Sequence, residues 1–155
     1  FYKRFRQQAN LEYITSDLYS PLADVKADIC ALPFDDEQFD VILCNHVLEH
    51  IPDDTQAMRE LYRVLKKGGW GIFQVPQEIE RAETFADDSI TDPKERARIF
   101  GQYDHVRIYG MDYFDKLRSI GFSVLPLPCT EVATTEEIEK YRLVKNEILP
   151  ICSKQ

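Results

Sequence analysis

What this sequence has little of narrows its class first. No stretch approaches the ~20 apolar residues of a membrane-spanning helix, and no leader pattern of basic, apolar and small residues opens it. Its four cysteines, Cys30, Cys44, Cys129 and Cys152, include no CxxC pair. That spacing argues against a disulfide framework and suits a reducing compartment, so a cytoplasmic location is expected; two of the thiols fall inside apolar runs, where they act as small hydrophobes. Positive charge is also short: 19 Lys and Arg against 27 Asp and Glu leave a net charge of -8. A polyanionic partner needs a basic face, and the N-terminal group Lys3, Arg4 and Arg6 is too small for one, so no nucleic acid is expected as a partner. Internal repeats, low-complexity tracts and linkers are absent. What is present is 44% hydrophobic residues over 155 positions, enough for the core of one domain spanning 1–155. The chain opens Phe-Tyr-Lys-Arg-Phe-Arg rather than on Met, which reads as the end of an amphipathic helix; the expectation is a piece of a longer product.

Strand and helix signals then alternate. Leu11 to Asp17 and Val25 to Cys30 read as strands, the second closed by Leu32-Pro33. Phe39 to Cys44 holds the continuous run Val-Ile-Leu-Cys, a pattern that suits a strand covered on both faces. Asp53 with Gln56 makes a helix start, Ala57, Met58, Leu61, Val64 and Leu65 form its apolar stripe, and Lys66, Lys67 and Gly68 are expected to end it. Trp70 to Val75 is the next strand, so 39–76 spells a βαβ unit. Residues 77–110 read as a lid or substrate insertion with one helix, started by Asp92, Pro93 and Glu95. Met111–Ile120 is an amphipathic helix, Phe122–Leu127 a strand, Thr135–Val144 a charged helix and Ile148–Cys152 the last strand.

Acids at strand ends are the first chemical candidates, because ligands of open parallel sheets sit beyond the carboxyl ends of the strands. Asp17 could accept the hydroxyls of a ribose or serve as an ordinary turn residue. Asp28 could accept an amino group, with Ile29 and Cys30 flanking. Asn45 follows the third strand. His46-Val47-Leu48-Glu49-His50 is a formal HxxEH match, but zinc needs both histidines on one face of a stable helix, and Pro52 leaves room for about one turn. No metal is expected from it; Val47 and Leu48 should pack under the sheet end while one histidine faces the cleft. His105 could act as a general base and Arg107 could clamp an anion or pair locally with Asp104 or Asp112. Tyr103, Tyr109, Tyr113 and Phe114 could line an aromatic pocket or fill core.

The order of these pieces carries the specificity. Ala-Asp-Ile-Cys-Ala-Leu-Pro-Phe, then Phe-Asp-Val-Ile-Leu-Cys, Val-Leu-Glu-His and Leu-Lys-Lys-Gly-Gly follow one another over 27–69. This resembles class I S-adenosylmethionine-dependent methyltransferases of the ubiquinone/menaquinone-biosynthesis-like group, with Lys67 where proline is usual. The resemblance implies an α/β fold: a Rossmann-like three-layer α/β/α sandwich whose mostly parallel sheet has one late antiparallel strand. It implies S-adenosylmethionine or S-adenosylhomocysteine as cofactor. Asp17 and Leu18 would lie at the ribose, Asp28 and Ile29 at adenine, and Asn45 and His46 beside the methionine moiety. Methyl transfer to a small molecule is the implied reaction, with His46, His50 and His105 as candidate bases. One departure matters. The family's first strand ends in a glycine-rich loop at the cofactor, yet the six glycines here, Gly68, Gly69, Gly71, Gly101, Gly110 and Gly121, all follow Asp17. That strand belongs between those of 11–17 and 39–44, so weak cofactor binding and self-association through exposed sheet edges are expected.

Overall fold

The computed structural model of the protein describes residues 2–155; Phe1, which the sequence reading puts in the terminal helix, lies outside them. That helix is present as α1 (Tyr2–Arg6). Two short parallel strands follow, β1 (Ser16–Asp17) and β2 (Val25–Lys26). Both are shorter than the apolar runs that contain them. Upstream of β1 the Thr15 N–H donates to the Asp24 carboxylate at 3.0 Å and its hydroxyl to the same oxygen at 2.7 Å, so a side chain occupies the donors a longer ladder would use. Beyond β2 the Cys30 N–H donates to Asp28 Oδ1 at 2.8 Å and the Ala31 N–H to the Asp28 carbonyl at 3.0 Å. This Asx turn ends the strand.

The βαβ unit is formed by β3 (Phe39–Leu43), a 3-10 turn (Leu48–His50), α2 (Asp54–Val64) and β4 (Leu65–Ile72), with β3 and β4 parallel. Asp53 caps α2, accepting the Gln56 N–H at 2.9 Å. The stripe of Ala57, Met58, Leu61, Val64 and Leu65 is buried as its spacing implies. The helix ends earlier than its lysines suggest. Leu65 is already extended, and Lys66 reaches across to Asp40 of β3 at 2.9 Å. Gly68 does take a left-handed φ of +78°, but its N–H donates to the Lys154 carbonyl at 2.7 Å, inside a bulge between the pairs Phe39–Leu65 and Val41–Trp70. There a Cβ on Gly69 would stand 2.9 Å from the carbonyl oxygens of Asp40 and Lys66.

Residues 77–110 are folded rather than loose: β5 (Phe85–Ala86) pairs antiparallel with β6 (Arg107–Ile108), and α3 (Pro93–Phe100) lies between them, capped by Asp92 and ended by left-handed Gly101. Then come α4 (Tyr113–Ile120), β7 (Ser123–Pro128), α5 (Cys129–Val132), α6 (Thr135–Tyr141) and β8 (Ile148–Ser153). The main sheet has the order β3-β4-β8-β7, and β8 alone runs against its neighbours. The β1–β2 pair is a separate sheet, so β3 is an outer strand.

One face of this sheet and the helices α2 and α4 enclose the core of Leu61, Phe73, Leu117, Phe122 and Cys152. The opposite face stays open. Val41, Leu43, Trp70 and Leu125 lie on it by register and alternation, and are 39–58% exposed. This corrects the expectation that the Val-Ile-Leu-Cys run is covered on both faces.

A buried ionic cluster ties the pieces together. Asp54, 4% exposed in the first turn of α2, pairs with Arg107 of β6, accepts the Tyr109 hydroxyl at 2.8 Å and meets Lys116 of α4 at 3.2 Å. Arg107, 6% exposed, also donates to the carbonyls of Ile51 and Pro52 at 2.8 and 2.7 Å. Burial pushes the Asp54 carboxyl up, but the Arg107 hydrogen bond and charge, with Tyr109 and Lys116, outweigh it and leave it below the usual range.

Arg107→Ala strands a buried carboxylate and should cost about 3–5 kcal/mol, read from urea midpoints at pH 7. A depressed folded pKa stabilises above the unfolded value of about 3.9, and that contribution is lost as pH falls through the folded one. The gap between parent and variant should therefore narrow below about pH 4; a gap that is constant with pH counts against the ion pair. Gly69→Ala, which overpacks backbone against backbone, should cost about 1–3 kcal/mol in the same assay, whereas an effect near zero would show that the bulge has room to shift.

Candidate functional site

Asp17 closes β1. Its Oδ1 accepts the N–H groups of Tyr19 and Ser20, both at 2.7 Å, and the bonds from Ser20 and Tyr19 hold its carboxyl below the usual range. Leu18 beside it is 36% exposed. Asp28 lies two residues past β2 and uses Oδ1 on its own turn. Ile29, Cys30 and Leu32 pack on the core, and α2 anchors this segment: Glu60 accepts the Leu32 N–H at 2.8 Å, Gln56 donates to the Cys30 carbonyl at 3.2 Å, and Arg63 donates to the Leu32 and Phe34 carbonyls. Both aspartates thus play the turn role that the residues alone allowed, with acceptor capacity left over.

Past the carboxyl end of β3 the ladder continues through the Cys44 and His46 N–H groups, which donate to Ile72 and Gln74 at 2.9 and 2.7 Å. Asn45 Oδ1 accepts the Gln74 N–H at a long 3.4 Å. His46 has φ +56°, an uncommon conformation for a non-glycine residue, and it turns the chain sharply into the 3-10 turn. Val47 packs on the core and Leu48 is fully buried, as expected. Glu49 is buried as well, at 1% exposure.

The three candidate bases converge on that glutamate. His46 Nδ1 is 3.4 Å and His50 Nε2 is 3.9 Å from Glu49 Oε1. His105, distant in sequence, packs its ring edge-on against His50 with centroids 4.7 Å apart. The Val106 N–H donates to the Glu49 carbonyl at 3.0 Å, which sets this register. His105 Nδ1 lies 3.1 Å from the Phe100 carbonyl, which can only accept, so Nδ1 carries a proton and in the neutral ring Nε2 holds the lone pair. Among the described residues, the buried side-chain atoms without a partner are Glu49 Oε2, Gln74 Oε1, Gln77 Nε2 and Arg107 Nε. The first three follow the carboxyl ends of β3 and β4, where ligands of such sheets bind. Beside them, burial and then the charge of Glu49 push the Cys44 thiol up to about 12, so it is no nucleophile.

Other expectations are corrected. Arg107 is committed to Asp54 and two carbonyls, so it is neither an anion clamp nor a partner of Asp104 or Asp112. Asp104 instead faces His50 Nδ1 at 3.4 Å, and Asp112 accepts from Thr84. Tyr109, Tyr113 and Phe114 are core, while Tyr103 is 63% exposed. Sequence reasoning missed Asp54 and the burial of Glu49. The doublet Asp53-Asp54 was the available signal for the former, since only one of the two can cap. Two surface clefts, of about 470 and 480 Å³, lie away from these residues, one beside α6 and one beside Asp24.

Residues 2–73 match the family described as "Methyltransferase domain". A Ubiquinone biosynthesis O-methyltransferase of Pseudomonas savastanoi pv. phaseolicola is 40% identical over 50 residues, 32% of this chain and 22% of that protein. A 2-phytyl-1,4-naphtoquinone methyltransferase of Nostoc punctiforme is 45% identical over 47 residues, 30% of this chain and 20% of that protein. The matches thus span about a fifth of these curated relatives. In fold, the chain is similar to Burkholderia thailandensis 1,6-didemethyltoxoflavin-N1-methyltransferase, solved with 1,6-didemethyltoxoflavin and S-adenosylhomocysteine: TM-score 0.56 at 14% identity, over 90% of this chain and 60% of that one. The strand order with its single reversed strand agrees with this likeness, so the chain has the Rossmann-like α/β fold, and over residues 2–73 it is similar to class I S-adenosylmethionine-dependent methyltransferases.

Proposed function

We propose that this chain supplies the adenosine-binding and acceptor-facing part of an enzyme that transfers the methyl group of S-adenosylmethionine to a small-molecule acceptor. The observation that carries the reading is positional: Asp17 ends β1, and Asp28 and Asn45 each stand two residues beyond β2 and β3. A carboxylate offers about four acceptor positions. Asp17 spends two on its turn and Asp28 one, which leaves acceptors for ribose hydroxyls and for the adenine amino group, with Leu18 and Ile29 as apolar neighbours. Asn45 and His46 border the methionine side. The cofactor, when bound, supplies a sulfonium methyl group for in-line displacement. The chain's own part is to align the reactants, exclude water and take a proton where the acceptor carries one. For that proton the free nitrogens are His105 Nε2 and His50 Nε2, with His46 at the rim. Residues 77–110, which carry His105, form the lid in this reading.

No glycine precedes Asp17, so these 155 residues should hold the cofactor weakly without a glycine-rich strand supplied from elsewhere. The net charge of -8 favours a small-molecule acceptor over nucleic acid, and reduced cysteines fit the cytoplasm. Among the described residues no helix is long and apolar enough to cross a membrane. The open face of Val41, Leu43, Trp70 and Leu125, with β3 as an outer strand, favours a second reading: a non-catalytic domain that associates with itself through that edge.

Calorimetric titration of S-adenosylhomocysteine separates the two. This chain should bind at least about tenfold more weakly than a form extended upstream by about sixty residues of the parent gene, the length of a strand plus a crossover helix with its turns. In the longer form Asp17→Ala should weaken binding by about 10–150-fold, the worth of a hydrogen bond to a charged group. Binding by neither form rejects the enzyme and leaves the association domain, for which sedimentation should show dimers or larger.

A further inference from the structure

One set of donors includes two of the bases named in the proposed function, and a metal on Nε2 of His50 and His105 takes those lone pairs and leaves His46 for the acceptor's proton. Ligand atoms of Glu49, His50 and His105 lie within 4.8 Å of one another. We propose that these three side chains form a site for a divalent transition-metal cation, zinc by preference. Two imidazoles and a carboxylate make the donor set typical of an open, three-ligand zinc site. Donors around a tetrahedral zinc stand about 3.4 Å apart, so closure needs a contraction of roughly 1.4 Å, within the reach of side-chain torsions.

The groups behind the ligands support the assignment. A metal-bound imidazole usually donates its other N–H to a carboxylate or carbonyl, which fixes its tautomer and orientation. His105 does this through Nδ1 to the Phe100 carbonyl at 3.1 Å. His50 places Nδ1 3.4 Å from the Asp104 carboxylate. In both rings Nε2 is then the free lone pair. Glu49 is 1% exposed and its Oε2 has no partner, a buried polar atom that a bound cation would satisfy. The site is not the helical HxxEH arrangement. His46 has a side chain 58% exposed, and the second imidazole comes from His105, near the end of the 77–110 segment. It is also independent of the cofactor reading, since it uses neither Asp17 nor Asp28.

The test is titration of Co2+, followed by Zn2+ competition, into the full chain under a phosphine reductant. Absorbance reads the coordination: one ion per chain, with the visible bands of nitrogen–oxygen ligation and without thiolate charge transfer, is the expected result. His50→Ala and Glu49→Gln should abolish the bands, and Asp104→Asn should raise Kd by about tenfold or more. Zn2+ should raise the melting temperature of the parent chain and not that of His50→Ala. No uptake by the unaltered chain overturns the proposal without any variant. So does uptake that survives both His50→Ala and Glu49→Gln, or a spectrum dominated by cysteine ligation.

Discussion

The geometry of this chain depends on one buried charge pair, Asp54 with Arg107. Its effect is out of proportion to its size, because the partners come from segments with no other strong reason to meet. Asp54 opens α2; Arg107 lies in β6, near the end of the 77–110 segment. Once the guanidinium also holds the carbonyls of Ile51 and Pro52, residues 105–107 are stitched along 49–52. His105 then has no choice but to face His50. Removing water from both charges is costly, and the arrangement holds because each ion is met by several hydrogen bonds rather than one. The histidine cluster is therefore a consequence of a structural ion pair placed next to it.

A second constraint fixes the sheet. At the start of β4 the chain must leave α2, bulge past Asp40 and enter a parallel ladder within a few residues. Gly68 supplies the left-handed turn, and Gly69 lets the strands close where a Cβ would stand 2.9 Å from two carbonyl oxygens. The motif Lys-Lys-Gly-Gly reads from sequence as a helix cap, because lysines and a glycine are what helix ends use. Here they do another job, with Lys66 drawn to Asp40 and Gly68 to the Lys154 carbonyl. The error is local and instructive: the residue types were right for a left-handed glycine, and the partner decided which element owned it.

What could be read from sequence was whatever short-range chemistry decides. Asp53 caps α2 and Asp92 caps α3, as their spacing implies, whereas the capping box of Thr134 and Glu137 at α6 was not singled out. Periodicity found the buried stripe of α2 and the faces of α4. Strand ends failed where a side chain displaced a ladder bond, as Asp24 does at Thr15 and Asp28 at Cys30. Contacts over fifty residues were not legible at all. Nothing in the His-Val-Arg segment announces that its arginine belongs to Asp54, and the pairing with Asp104 or Asp112 was the natural local guess. The same holds for Val-Ile-Leu-Cys. A continuous apolar run reports what a strand can bury, whereas burial depends on what lies above it, and β3 is an outer strand with one face open.

Glu49 brings these strands together. A carboxylate inside a core is a poor device for stability, since an apolar residue of similar volume would usually serve as well or better. Leu48 next to it shows that the same 3-10 turn can be anchored by a hydrophobe at full burial. The glutamate is held by its backbone, whose carbonyl accepts from Val106, so its side chain is not needed to fix the turn. It sits where the carboxyl ends of β3 and β4 leave other polar atoms, on Gln74 and Gln77, without partners. Departures from stable packing tend to collect at sites that do chemistry. The physical case for function at this end of the sheet is therefore stronger in Glu49 and its three histidines than in the turn aspartates, whose hydrogen bonds are explained by the fold alone.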